Sequence, residues 1–224
     1  MKATYVDHMG SDLSVVNSAR VSFGKKSALE EPFEDCDASL LRLNKGDTKL
    51  IKYLAKHKHI SPFGHAFASF HVKAPIFVAR QLVKHSFLRW NEVSRRYVDD
   101  EPEFFVPDVW RGRSADKKQG SEGEVALGKL DTAIVSDSPY EALCAYKALL
   151  QAGVAPEQAR MVLPQSTMTE WYWSGSLDAF ARMCNLRCKP DTQYESRLVA
   201  NQISESMSGL FPVSWPALME NDND

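Results

Sequence analysis

Six residues able to carry positive charge, Arg80, Lys84, His85, Arg89, Arg95 and Arg96, fall within eighteen positions, and only Glu92 opposes them. In a chain of net charge −2 this is a local feature, suited to holding an anion such as phosphate. Guanidinium groups meet phosphate oxygens as a two-pronged fork, while Asn91, Glu92 and Ser94 supply groups that address a ribose or a base. Together they describe a nucleotide clamp; the alternative is a solvated basic helix face. No histidine or acid is placed in sequence to make Ser94 a nucleophile, which leaves phosphate hydrogen bonding as its use. Arg160, in the proline-bounded stretch Pro156 to Pro164, could pair with Glu157 or face a ligand.

Metal chemistry has little support. His57, His59 and His65 are spaced by two and six and interrupted by Pro62, so they share no helix face, and H-E-x-x-H is absent. The four cysteines form no C-x-x-C pair, which argues against zinc and for reduced thiols in a cytosolic protein. Neither G-x-x-x-x-G-K-[ST] nor G-x-G-x-x-G occurs, so any flavin or nicotinamide is held outside the usual dinucleotide fold. The near-neutral balance disfavours a nucleic-acid binder. With no apolar run near ~20 residues and no signal peptide, a cytoplasmic protein with no membrane contact is expected.

The elements that must position these groups follow from periodicity. A strand is expected over Ala3 to Val6, then a helix over residues 12–20 with Asp12 as N-cap and Val21 to Phe23 closing it. Residues 24–47 read as a polar surface insertion, followed by a helix from Thr48 to Lys56. Ala66 to Val72 alternates as a half-covered strand. Pro75 then opens a helix that places Gln81, Lys84, His85 and Leu88 on one face. Residues 98–107 look extended, and 108–124 look like a mobile loop. A core helix is expected from Pro139, with Leu143, Tyr146 and Leu150 as its stripe. A strand over Thr167 to Trp173, a helix capped by Ser176, and a last helix from Gln193 to Gly209 complete the series. One catalytic domain over 1–219 is expected, with a disordered acidic tail at 220–224.

Lys84-His85-Ser86, seven further residues, then Ser94, with Asn91, Glu92, Arg96 and Tyr97 in register, resembles the R-H-R-x7-S signature of the flavin-dependent thymidylate synthases. Lys84 replaces the first arginine of that pattern, keeping the charge without the fork, and Ser86 replaces the second. Ala19-Arg-Val-Ser-Phe23, His59-x-Ser61-Pro-Phe-Gly-His65, Ala159-Arg-x-Val-Leu-Pro164 and Asn185-Leu-Arg187 are similar to further family elements, with Gly64 in place of the usual glutamate. The resemblance implies an α+β fold: a single domain with an antiparallel sheet packed by helices, not a Rossmann fold.

It also implies an activity, the reductive methylation of dUMP to dTMP with FAD, NADPH and methylenetetrahydrofolate, in a homotetramer with shared active sites. On that basis dUMP is held by Gln81, Lys84, Glu92, Val93, Ser94, Arg95, Arg96 and Arg160. Arg187 is the catalytic residue, a fixed charge against the uracil ring. FAD falls to Ser22, His59, Ser61, Lys84, His85, Ser86, Asn91, Glu92, Ser176, Asp178 and Arg182. A deoxyuridylate hydroxymethylase on the same fold and a non-catalytic nucleotide-binding protein are the alternatives.

Overall fold

The computed structural model describes residues 1–30, 42–115 and 120–220. Four strands form an open antiparallel sheet in the order β1 (Lys2–Met9), β2 (Phe67–Pro75), β6 (Met168–Ser176) and β3 (Leu88–Glu92). The alternation read from the sequence is the cause: Ala68, Phe70, Val72, Ala74, Trp171 and Trp173 are buried, while His71, Lys73, Glu170 and Tyr172 are not. Helices cover the buried face, giving the mixed architecture expected.

The sheet and its helices meet in an aromatic core. Phe70, Trp173 and Trp90 lie side by side in register on three strands, and Trp90 stacks on Trp171 with centroids 4.3 Å apart and planes at 19°. Phe180 of α6 (Leu177–Arg187) meets Phe70 and Trp173 edge-on, at 5.3 and 5.6 Å. Such rings bury roughly 150–250 Å² each and dominate core energetics. Arg187 lies two turns beyond Phe180 on the same stripe, so this packing also fixes where its side chain emerges.

The basic segment departs from the expected single helix. α3 (Ile76–Leu82), with Pro75 at its N-cap, stops before Lys84, and Lys84 to Phe87 form a turn closed by His85 N–H donating to Leu82 O. Phe87 takes φ +66°, unusual for a residue with a side chain, and Leu88 then enters β3 opposite Gly175. A Cβ at Gly175 would lie 2.5 Å from Leu88 Cδ2, so glycine is what lets the returning strand close up there. Pairing with β6 overrides the local helical pattern, and Lys84, His85 and Leu88 do not share a helix face.

Other expectations shift for similar reasons. Ser11, not Asp12, caps α1 (Asp12–Arg20); the buried Asp12 carboxylate instead accepts the N–H groups of Val213 and Ser214 at the start of α8 (Ser214–Glu220). α2 (Lys45–Lys56) begins three residues early, capped by Asn44, because Asp47 is fully buried against Arg20, Ser27 and Asn44. α4 (Lys129–Gln151) starts ten residues before Pro139 and buries only Tyr146, so it is a surface helix of this chain rather than a core one. The expected loop at 108–124 contains a hairpin, β4 (Arg111–Arg113) with β5 (Ser121–Glu124). α5 (Pro156–Ala159) gives way to a 3₁₀ turn at Arg160–Val162, and α7 (Tyr194–Leu210) follows α6. Glu220 ends α8, and the rest of the expected acidic tail lies outside the described residues, as do 31–41 of the expected insertion. No helix among the described residues is long and apolar enough to cross a membrane.

Candidate active site

Where α3, the start of α7, the end of α6 and the β4–β5 hairpin converge, a cavity of about 880 Å³ opens. α3 and the turn after it contribute Arg80, Gln81 and Lys84, the hairpin Arg111, α6 its last residue Arg187, and α7 Glu195. Arg111 pairs with the buried Glu195 and lies over the Tyr194 ring at 4.5 Å, which ties the hairpin to α7. Gly120 abuts Asp191 so closely that a Cβ would meet its carbonyl oxygen at 2.7 Å. Arg80, Lys84 and Arg187 have no carboxylate within 4 Å among the described residues, so the cavity holds uncompensated positive charge.

Gln81 donates to Gln193 at 3.4 Å, while its own carbonyl oxygen is buried without a partner among the described residues. Arg187 Nε donates to His85 Nε2 at 2.9 Å. Burial, and then the Arg187 charge, lower the His85 pKa from 6.5 to about 4, so the imidazole is neutral at pH 7. Burial also lowers the Arg187 pKa, from a value so high that the group stays cationic.

On its other side Arg187 borders a smaller cleft of about 290 Å³, shared with Lys84, His85, Ser86 and Arg182. Lys84 and Arg187 thus stand between two spaces. Arg182 lies over the exposed Phe87 ring at 4.9 Å and is held by Asp178 at 3.1 Å, whose other oxygen takes the Ser176 hydroxyl at 2.6 Å. Ser176 and Asp178 are buried and reach the cleft only through Arg182.

The remaining sequence-derived residues lie outside the lining of both spaces. Glu92 accepts from Thr169 at 2.8 Å and Trp90 at 3.0 Å, and Val93 N–H donates to Glu170 O. Ser94 accepts from Arg96, Arg95 reaches Asp100, and Arg160 donates to the backbone carbonyl of Glu157 at 3.2 Å, with no carboxylate of the described residues within 4 Å. Ser22, His59, Ser61 and Asn91 are exposed, with His59 stacked on Tyr53. Arg80 and Arg111 also line the cavity without belonging to any of the family elements; Arg80 sits in the basic run, whereas Arg111 falls in the stretch whose glycines and charges suggest a loop.

The chain matches the family described as thymidylate synthase complementing protein over residues 4–213. It is 39% identical to the flavin-dependent thymidylate synthase of Thermus thermophilus, covering 96% of this chain and 74% of the relative. The chain belongs to the flavin-dependent thymidylate synthase family. The Kosmotoga olearia member is 37% identical, over 96% of this chain and 88% of the relative. Among solved structures, the UMP/dUMP methylase PolB of Streptomyces cacaoi bound with 5-Br dUMP superposes with a TM-score of 0.80 at 31% identity, covering 98% and 94% of the two chains. The family resemblance drawn from the motifs therefore holds over nearly the full length, and the chain is an enzyme of this type.

Proposed function

We propose that the chain methylates dUMP to dTMP, with methylenetetrahydrofolate as one-carbon donor and NADPH as reductant. The observation that carries this reading is Arg187: a cation without a counter-carboxylate among the described residues, fixed at the boundary between the 880 Å³ cavity and the smaller cleft. A uracil ring made nucleophilic at C5 toward a one-carbon electrophile carries developing negative charge over N3 and its carbonyl oxygens, and a preset guanidinium stabilises that charge with no reorganisation. The unpartnered Gln81 oxygen suits an N–H or O–H of the base or ribose. Arg80 and Lys84 add to the field that draws in a nucleotide dianion.

The smaller cleft suits an electron-rich, anionic group such as a flavin in chemistry, lined by three cations, Lys84, Arg182 and Arg187, beside the apolar Ala179 and Leu186. Bound FAD would supply the hydride that turns a methylene into a methyl group. Lys84, His85, Ser86 and Arg182 would hold it, with Ser22, His59, Ser61, Asn91, Ser176 and Asp178 as further contributors. At 290 Å³ the cleft sits at the lower bound of small-molecule sites, so one chain offers part of a dinucleotide site. α4 supports a homotetramer that supplies the rest: Leu130 and Tyr140 are 74% and 68% exposed on a helix that buries one residue. Ser94, Arg95, Arg96 and Arg160 would then hold the dUMP phosphate across subunits, near Glu92 and Val93.

The test is product analysis. Protein supplied with FAD, NADPH, methylenetetrahydrofolate and dUMP should yield a nucleotide heavier by one CH2, and NADPH oxidation should depend on dUMP. A hydroxymethyl product, or dUMP binding with no turnover, would replace this assignment.

A further inference from the structure

Several arginines in this protein are anchored on carboxylates: Arg20 on Asp47, Arg111 on Glu195, Arg182 on Asp178. Arg187 is anchored on a ring instead. Its Nε donates to His85 Nε2, and a guanidinium can donate only to a free lone pair, so Nε2 is unprotonated and the imidazole proton sits on Nδ1. A protonated His85 would lose the bond and would stand as a further positive charge beside Arg187. The lone pair is committed to Arg187, which leaves His85 unavailable as a proton acceptor.

The ring is presented from a fixed turn. His85 N–H closes on Leu82 O, Phe87 takes its left-handed backbone, and Leu88 is fastened opposite Gly175. The guanidinium comes from a separate element, at the end of a helix pinned by Phe180. One hydrogen bond therefore joins two rigid elements 102 residues apart in sequence.

We infer that His85 is the positioning residue of Arg187: a neutral acceptor that sets the plane of the guanidinium without cancelling its charge. A carboxylate at this position would orient Arg187 equally well but would leave a net-neutral pair facing an electron-rich base. The imidazole leaves the terminal nitrogens and the whole charge for the pyrimidine. Nδ1–H has no protein acceptor among the described residues, and it remains available to a ligand in the smaller cleft that His85 lines. The inference rests on the reading in which Arg187 activates dUMP.

Two measurements test it, one of them independent of turnover. In protein labelled with 15N-histidine, the signal assigned to His85 by its loss in His85→Gln should report the Nδ1–H tautomer at pH 7. Arg187→Ala should return that signal to the ordinary Nε2–H-rich mixture. An Nε2–H signal at residue 85 in the unsubstituted protein overturns the proposal whatever the enzyme makes. In kinetics at saturating FAD, His85→Ala should lower kcat about tenfold to a hundredfold, the scale of a misplaced catalytic group, with KM for dUMP nearly constant. His85→Gln, which offers a neutral acceptor at similar reach, should recover most of that loss. Unchanged kcat in His85→Ala, or a loss that glutamine leaves in place, overturns the positioning role. Near-normal turnover of Arg187→Ala with the tautomer as expected would instead remove the activation reading and the purpose of the contact, while leaving the contact itself.

Discussion

Arg20 and Arg187 occupy equivalent places, each the last residue of a helix, each partly buried, and each bonded through Nε to another segment. Their partners differ. Arg20 meets Asp47, a wholly buried carboxylate that also accepts from Ser27 and Asn44, so its charge is consumed inside the fold. Arg187 meets a neutral imidazole at the edge of a cavity, and its charge is left over. The same side chain in the same helical position has its charge neutralised in one place and left exposed to a cavity in the other, and the partner decides which.

This contrast can be broken. The largest expected effect is on turnover: Arg187→Ala should reduce kcat by about 10²–10³-fold, the range seen when a preset charge-stabilising donor is removed, with little change in thermal midpoint. Near-normal turnover would erase the distinction between the two arginines. Asp47→Ala should show the converse, a loss of about 3 kcal/mol in urea unfolding from a broken buried pair, with kcat per folded molecule retained. A kinetic defect at unchanged stability would mean that Asp47 serves the site after all. Arg160→Ala should weaken dUMP binding by about 2 kcal/mol in calorimetry, as for a charged hydrogen bond left unmade; unchanged affinity would move the phosphate elsewhere.

The smallest effect concerns pH. The His85 imidazole takes a proton at about pH 6.5 when unfolded but only near 4 when folded. Unfolded chains therefore bind more protons as pH falls through this window, and folding loses stability between about pH 6.5 and 4. His85→Gln should flatten that part of the stability curve relative to the unsubstituted protein, and superimposable curves would show that His85 does not titrate in this way.

Sheet and helices are largely legible in the residues, because β2 and β6 alternate cleanly and α6 starts after Ser176 with an apolar stripe, although the Ser176 hydroxyl bonds Asp178 rather than capping the helix. What escaped was set by distant partners. No local pattern shows that Asp12 will cap α8, 202 positions away, or that Asp47 will be buried beneath Arg20. The basic segment looked helical through Leu88 because the spacing of Gln81, Lys84, His85 and Leu88 allows it, yet the close approach at Gly175 ends the helix sooner. For the site, motif spacing gathered Gln81, Lys84, His85, Ser86, Arg182 and Arg187 into adjoining spaces. It could not show that Ser94, Arg96 and Arg160 lie outside them, since motif spacing carries no distances between elements remote in sequence.

The stacked pair of Trp90 and Trp171 has an optical consequence. Indoles this close couple their excited states, so near-ultraviolet circular dichroism and emission carry a signature that exists only while β3 is seated on β6. Trp90 precedes Glu92 by two positions and Ser94 by four. The seating of the strand that leads into the Ser94 to Tyr97 turn can therefore be followed by light alone, with neither nucleotide nor label added.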